Sequence, residues 1–263
     1  MDQAVNTLLN LFFRWAHVVA GITWIGHLYF FNWVNGPFAA KLDGPTKKIV
    51  TPELMPRALF WFRWGAAWTW ITGILLAGLV YYQERTMLFD DTHRTNNPWL
   101  WLAVTLILWA VGFVIYNFIM KSIANKVVGA AICLLLYAGV WAVLEFCGHY
   151  SGRALYIHGG ATFGTIMALN VWMIIWPYQQ KIIRAVKDGN PIPATDPIVV
   201  QAGLRSRHNT YMSVPLVFFM ITYHYGATMY SNPYHDACAT GVIVIGFFMV
   251  WLLYKKAPKV QGF

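Results

Sequence analysis

Seven stretches of this chain are apolar and approach the roughly 20 residues that a helix needs to cross a bilayer. They lie near 8–33, 57–83, 98–120, 126–147, 155–177, 208–230 and 237–254. Few architectures accept so many. The chain has 263 residues, 58% hydrophobic and 11% charged, whereas a soluble domain carries about 25% charged residues. It lacks the polar surface to cover a water-exposed globule. The expected fold is all-α: a polytopic transmembrane helix bundle of about seven spans, forming one integral membrane domain over 1–263 rather than separable domains.

The net charge of +9 at first suggests an anionic partner, but its distribution points elsewhere. Of the 19 Lys and Arg, Arg14 and Arg63 fall within spans, and only Arg85, Arg94 and Arg153 fall in one set of loops. The other fourteen crowd 34–56, 121–125, 178–207 and their edges, and the C-terminal tail. This positive-inside bias predicts a periplasmic N-terminus and a cytoplasmic C-terminus. The charge therefore records orientation in a lipid bilayer, and no nucleic-acid partner is expected. The N-terminus has no basic region followed by a small-residue cleavage site, so the first span is expected to act as the insertion signal.

Five of the eight histidines lie in strongly apolar segments, where an ionisable side chain is costly and marks a functional-site hypothesis. Imidazole is also a common axial ligand of haem iron. By depth, His17, His158 and His224 fall near one face, and His27 and His208 near the other. His17 and His27 share the first span, about 15 Å apart along it and about 80° apart around it, so each could serve a different cofactor. Gly21 and Gly26 leave room for a flat macrocycle or a neighbouring helix.

His208 and His224 lie about 24 Å apart along an ideal helix, with Pro215 between them to bend it. Depth matching pairs His27 with His208 and leaves three outer histidines where one bis-histidine haem needs two. The third is open to substrate binding or proton relay. All five are candidate metal ligands, for one or two haems b, and His158 is also a candidate catalytic group. His93, His149 and His235 fall in outer loops and are expected to be solvated, with His149 in reserve. There is no HExxH, paired-cysteine motif or carboxylate cluster, which disfavours zinc or copper, and no CxxCH for a c-type haem.

Arg14, one turn before His17, suits a haem propionate or a carboxylate; Glu145 is either its ion-pair partner or a catalytic proton handler. Arg63, among Trp61, Trp64, Trp68 and Trp70, either holds a propionate or snorkels to the interface. Arg207, beside His208, is a third candidate cofactor contact. Gly160, Gly164 and Ala168 form a small-residue stripe that signals close helix packing. Cys147 and Cys238 share the outer face, open to a disulfide or to a role as small buried hydrophobes.

Four stretches, RWAHVVAGITWIGHLYFFNWVN, PRALFWFRWGAAWTWITG, IMALNVWMIIWPYQQK and GLRSRHNTYMSVPLVFFMITYHY, resemble the membrane domain of the cytochrome c-linked urate oxidase (urate hydroxylase) family. They run from the first span to the sixth. The resemblance implies oxidation of urate, a small purine, to 5-hydroxyisourate, with electrons passed to a cytochrome c and the respiratory chain. It also implies the inner membrane of a bacterium. Members of that type carry a further C-terminal membrane helix and an outer c-type cytochrome, whereas this chain stops after its seventh apolar stretch. The expected electron acceptor is thus a separate cytochrome c or redox subunit. The alternative is a non-catalytic di-haem b electron-transfer or anchor subunit of a larger respiratory complex.

Overall fold

A computed structural model describes residues 2–226 and 228–261; position 227, within the expected sixth span, lies outside them. Among the described residues the chain is helical apart from turns and one isolated antiparallel bridge, Phe89 to Tyr150. Seven long helices follow in order: α1 Gln3–Lys41, α2 Gly44–Tyr82, α3 Pro98–Ser122, α4 Lys126–Cys147, α5 Gly152–Lys187, α6 Pro197–Ile221 and α7 His235–Lys259. Six of them, all but α6, are long and apolar enough to cross a membrane.

The sixth expected span corresponds to α6, which begins eleven residues before 208 and ends nine before 230. Its first half carries Arg205-Ser206-Arg207-His208-Asn209-Thr210, which lowers its hydropathy. Several polar groups of α6 turn inward: Arg205, Asn209, Thr210 and Ser213 are completely buried, while Arg207 is exposed. The expected connections 34–56 and 178–207 are also largely helical, because α1, α2 and α5 continue past their apolar stretches. Segment Trp176–Lys187 of α5 shows why: it alternates Lys181, Arg184 and Lys187 with a buried Ile183.

Local chemistry explains several boundaries. Asn97 Oδ1 accepts from the backbone N–H groups of Trp99 and Leu100 at 3.0 and 3.4 Å, and Pro98 opens α3. Asn125 does the same for α4, accepting from Val127 and Val128. Lys126 Nζ donates to the carbonyls of Met120 and Ile123, satisfying the C-terminal end of α3. Four helices contain π-helical turns, at Phe30–Asn35, Gly78–Tyr82, Val143–Cys147 and Val171–Ile175. Such turns carry one residue more than α-helical winding and frequently occur at functional sites. Two of them hold Tyr82 and Glu145.

Contacts divide the chain into two compact units. One comprises Met1–Arg14, Gly73–Ile166 and Leu216–Val242; its core includes Tyr81, Tyr82, Leu88, Phe89, Leu144, Tyr150 and Leu155. There the small-residue stripe performs the packing expected of it. A Cβ on Gly160 would meet Phe219 Cβ at 2.9 Å, so α5 and the end of α6 approach at van der Waals distance.

The other unit comprises Trp15–Thr72, Met167–Pro215 and Ile243–Phe263. Trp24, Leu28, Leu59, Phe62 and Ala66 are buried in it, and a Cβ on Gly65 would lie 3.0 Å from the backbone nitrogen of Trp24. Its polar interior is a hydrogen-bond network. Asn170 Nδ2 donates to Asn209 Oδ1 and Asn209 Nδ2 to the Met167 carbonyl, both at 2.9 Å. Asn32 donates to Ser206 Oγ and accepts from the Tyr254 hydroxyl.

Burial along α1 is inside out by the standards of a soluble protein. Leu8, Leu11, Trp15, Val18 and Ile22 recur every three or four residues and are exposed. An apolar stripe of that length facing outward is compatible with an apolar solvent, and the polar interior of α6 fits the same environment.

Candidate functional site

His158, on the first half of α5, sits at the centre of a polar cluster in the first unit. Its Nδ1 lies 2.7 Å from the Ala154 carbonyl, one turn back. A carbonyl only accepts, so Nδ1 carries a proton, and in the neutral ring Nε2 accepts from the Tyr82 hydroxyl at 2.8 Å. Tyr82 Oη is 3.2 Å from Tyr150 Oη, which is 2.9 Å from Thr105 Oγ1. Tyr150 Oη also donates to the Trp101 carbonyl at 3.3 Å, so Tyr82 donates to His158 while the single Tyr150 proton is shared between Tyr82 Oη and Trp101. Below the ring, Thr162 donates to the His158 carbonyl and accepts from Trp109 Nε1 at 2.8 Å.

Tyr81, Tyr82, Tyr150 and Trp109 surround the imidazole, with centroids at 4.9 to 6.4 Å, and it is 1% exposed. A bound iron would have to displace the Tyr82 hydroxyl and part this aromatic shell. The arrangement fits a buried proton-holding group better than a haem ligand.

His27 presents the opposite case. Its Nδ1 lies 2.7 Å from the Thr23 carbonyl, again one turn back, which fixes the proton on Nδ1 and the lone pair on Nε2. Nε2 has no hydrogen-bond partner among the described residues. Beside it, a Cβ on Gly26 would meet no atom within 4 Å. A held Nδ1–H and a ready Nε2 are what metal-ligating histidines use to set tautomer and ring orientation. His17 is held similarly: its Nδ1 is 3.2 Å from Thr72 Oγ1, whose own proton goes to the Trp68 carbonyl at 2.6 Å. His17, His27 and His208, all half-buried, belong to the second unit. His158 belongs to the first, as does His224, which is exposed in the turn ending α6.

The candidate arginines differ in surroundings. Arg14 is exposed on α1 and donates through Nε and Nη2 to Asn10 Oδ1. Arg63 stacks its guanidinium 3.9 Å from the Trp176 ring, and its buried Nε has no hydrogen-bond partner among the described residues. Trp24 Nε1 and Trp33 Nε1, in the same unit, are likewise buried donors without a hydrogen-bond partner among the described residues. These are groups that an acceptor-rich ligand such as a propionate would satisfy. Arg207 lies 4.6 Å over the Tyr254 ring.

Glu145 does not pair with Arg14. Its Oε1 is 2.9 Å from His235 Nε2 and its Oε2 accepts from Trp141 Nε1 at 3.2 Å. Trp141 Nε1 also reaches Asp236 Oδ1 at 2.9 Å. The π-helical turn at Val143–Cys147 and the start of α7 bring these groups together, and sequence spacing could not have chosen between the two partners. His93 and His149 are not simply solvated loop residues either: their rings stack 3.5 Å apart, 4° from parallel. Cys133, Cys147 and Cys238 are all free thiols, with Cys147 exposed, so no disulfide joins the outer pair.

The residues that sequence reasoning missed are Tyr82, Tyr150 and Thr105 around His158, and His235 and Trp141 around Glu145. Hydroxyls and indoles on apolar helices carry no motif; the only advance signal was a titratable group that needed partners in lipid.

No curated protein and no solved structure matches the chain. The family model described as urate oxidase N-terminal matches residues 44–261, from the first turn of α2 to the end of the described C-terminus. The match takes in His158, His208, His224, Glu145, Arg63 and Arg207, and starts after His17 and His27. Since it spans most of the sequence, the chain belongs to the urate oxidase N-terminal family.

Proposed function

We propose that the chain is the membrane-embedded part of a haem-dependent urate oxidoreductase. Urate and water would give 5-hydroxyisourate, two protons and two electrons, and the electrons would leave to a separate cytochrome c or redox subunit. The observation that carries the substrate is the family match over 44–261. In this reading the chain crosses a bacterial plasma membrane seven times. The N-terminus is periplasmic and the C-terminus cytoplasmic, following the bias of basic residues. The polar α6 is the sixth of the seven spans, tolerated because Arg205 and Asn209 face inward.

Haem b, when bound, supplies the one-electron acceptor that a two-electron oxidation needs to reach a cytochrome. His27 is the ligand best supported by geometry, through its held Nδ1 and ready Nε2. His17 is supported by Thr72 behind its Nδ1, and His208 and His224 remain candidate partners. Arg63, with its buried Nε, and Arg14 and Arg207 would hold propionates.

Proton handling falls to the chain's own groups. His158 Nε2 and the Tyr82–Tyr150–Thr105 hydroxyls form a buried path along which a proton can shift by reversing donors. Glu145, held by His235 and Trp141, is a carboxylate able to accept a proton from an oxidised purine.

The deciding experiment adds urate anaerobically to oxidised, purified protein. The expected result is a reduced b-type haem spectrum and formation of 5-hydroxyisourate. If dithionite reduces the haem and urate does not, the chain is an electron conduit or anchor subunit. A clean preparation without a Soret band would overturn the haem assignment itself.

A further inference from the structure

We propose that Asp90, His93 and His149 form a binding site for one divalent metal ion of the zinc class, clamping the loop before α3 to the segment before α5. The site goes beyond the oxidoreductase reading and does not depend on it. The backbone brings the residues together. Phe89 and Tyr150 form an antiparallel bridge, Asp90 N donates to the His149 carbonyl at 2.9 Å, and Ser151 N donates to the Leu88 carbonyl at 2.8 Å. Asp90 and His149 are therefore neighbours across two paired segments.

His93 reaches the same place by a tight turn. Asp90 Oδ1 accepts from Thr92 N, Thr92 Oγ1 and His93 N at 2.7 to 3.0 Å. Oδ1 also lies 2.9 Å from His93 Nδ1, which is 2.8 Å from Thr92 Oγ1, and Oδ2 lies 3.2 Å from His93 Nδ1 and 3.8 Å from His149 Nδ1. One ligand atom from each of the three residues lies within 4.8 Å of the others. Ligands around one zinc ion, at bonds of about 2.0–2.1 Å, sit roughly 3.3 Å apart, so modest rotation of the side chains closes the site.

Two features favour a cation over a hydrogen-bonded cluster. His149 is the one non-glycine described residue with positive φ, at 53°, a conformation that turns its ring onto His93. The stacked imidazoles present both Nδ1 atoms to a single carboxylate. Asp90 accepts from His93 Nδ1 as the cluster stands; a metal ion would take both Nδ1 lone pairs and the carboxylate charge together, the ring proton moving to Nε2. Two imidazoles and a carboxylate suit zinc, and leave a fourth position for water or a small ligand. Tyr150, next to His149, enters the His158 chain, so the clamp would also fix that phenol.

Tag-free, chelator-stripped protein in detergent should be titrated with Zn²⁺ by calorimetry, and with Cu²⁺ followed by electron paramagnetic resonance. The expected result is one saturable site and a Cu²⁺ spectrum with hyperfine coupling from two imidazole nitrogens. His93→Gln and His149→Gln should each weaken Zn²⁺ binding at least tenfold, without changing helical content. His235→Gln, at the separate Glu145–His235–Asp236 cluster, should leave it unchanged. Absence of a saturable site, fewer than two imidazole ligands in the wild-type Cu²⁺ spectrum, or loss of binding on His235→Gln alone would each overturn the proposal. If either glutamine variant misfolds, the wild-type Cu²⁺ spectrum decides.

Discussion

The Tyr82 hydroxyl lies 2.8 Å from Nε2 of His158, across 76 residues of sequence, and both side chains are almost wholly buried. The Ala154 carbonyl at Nδ1 leaves the lone pair on Nε2, and the Tyr82 hydroxyl occupies it. His158 and His27 share the same backbone-held Nδ1, yet their Nε2 atoms meet opposite surroundings: a phenol for one, no donor among the described residues for the other.

Tyr82→Phe removes the one hydrogen-bond partner that a buried ring nitrogen, His158 Nε2, has among the described residues. Loss of about 1–3 kcal/mol is expected, since an unsatisfied buried acceptor costs its full desolvation. Denaturant unfolding in detergent checks this. Haem content should stay unchanged, because the bond concerns a histidine that the geometry disfavours as a ligand.

His27→Ala should remove a haem while leaving the fold intact, as Nε2 makes no hydrogen bond among the described residues. Pyridine haemochrome quantitation reads the loss. Thr72→Val withdraws the acceptor behind His17 Nδ1 and should weaken haem retention about 10–100-fold if His17 ligates. Full retention in both variants would remove α1 from the ligand set.

Glu145→Gln keeps the size of the side chain and its bond from Trp141 Nε1, but removes the charge and the ability to accept a proton. Urate-dependent haem reduction should slow on the order of 10²-fold with unchanged haem content. Stopped-flow absorbance follows it. A rate equal to wild type would limit Glu145 to holding His235.

Asp90 lies outside the spans, and its carboxyl is held at about 2. Burial alone would raise it, but hydrogen bonds from the Thr92 side chain, His93 and the Thr92 backbone outweigh that effect. A group depressed on folding contributes stability above its unfolded value of about 3.9, lost as pH falls through the folded value. Melting temperature should therefore fall between pH 4 and pH 2 more steeply in the wild type than in Asp90→Asn. Parallel curves would contradict this.

Gly160→Val places a branched side chain where a single Cβ already meets Phe219 Cβ at 2.9 Å. Destabilisation of about 1–3 kcal/mol or more is expected from overpacking, measured by thermal melting in detergent. Gly203→Ala, where an added Cβ meets nothing within 4 Å, is the neutral comparison.

Much of the architecture is legible in the residues themselves. Length and hydropathy place six of the seven long helices, Asn97 and Asn125 mark the starts of α3 and α4, and the Gly160 stripe foretells close packing. These are local properties: each depends on residues within a few turns. The histidine-rich character of the spans is also read directly, and so is the family, through RSRHNTY and the other quoted stretches.

Only the tertiary structure decided who meets whom. Glu145 pairs with His235, 90 residues away, not with Arg14; His158 is capped by Tyr82; His93 and His149 stack over Asp90. The reason is physical. In an apolar solvent the lipid-facing and core-facing sides of a helix are both hydrophobic, so sequence periodicity does not fix rotation about the helix axis. Which polar side chains face one another depends on that rotation and on axial register, and tertiary packing sets both.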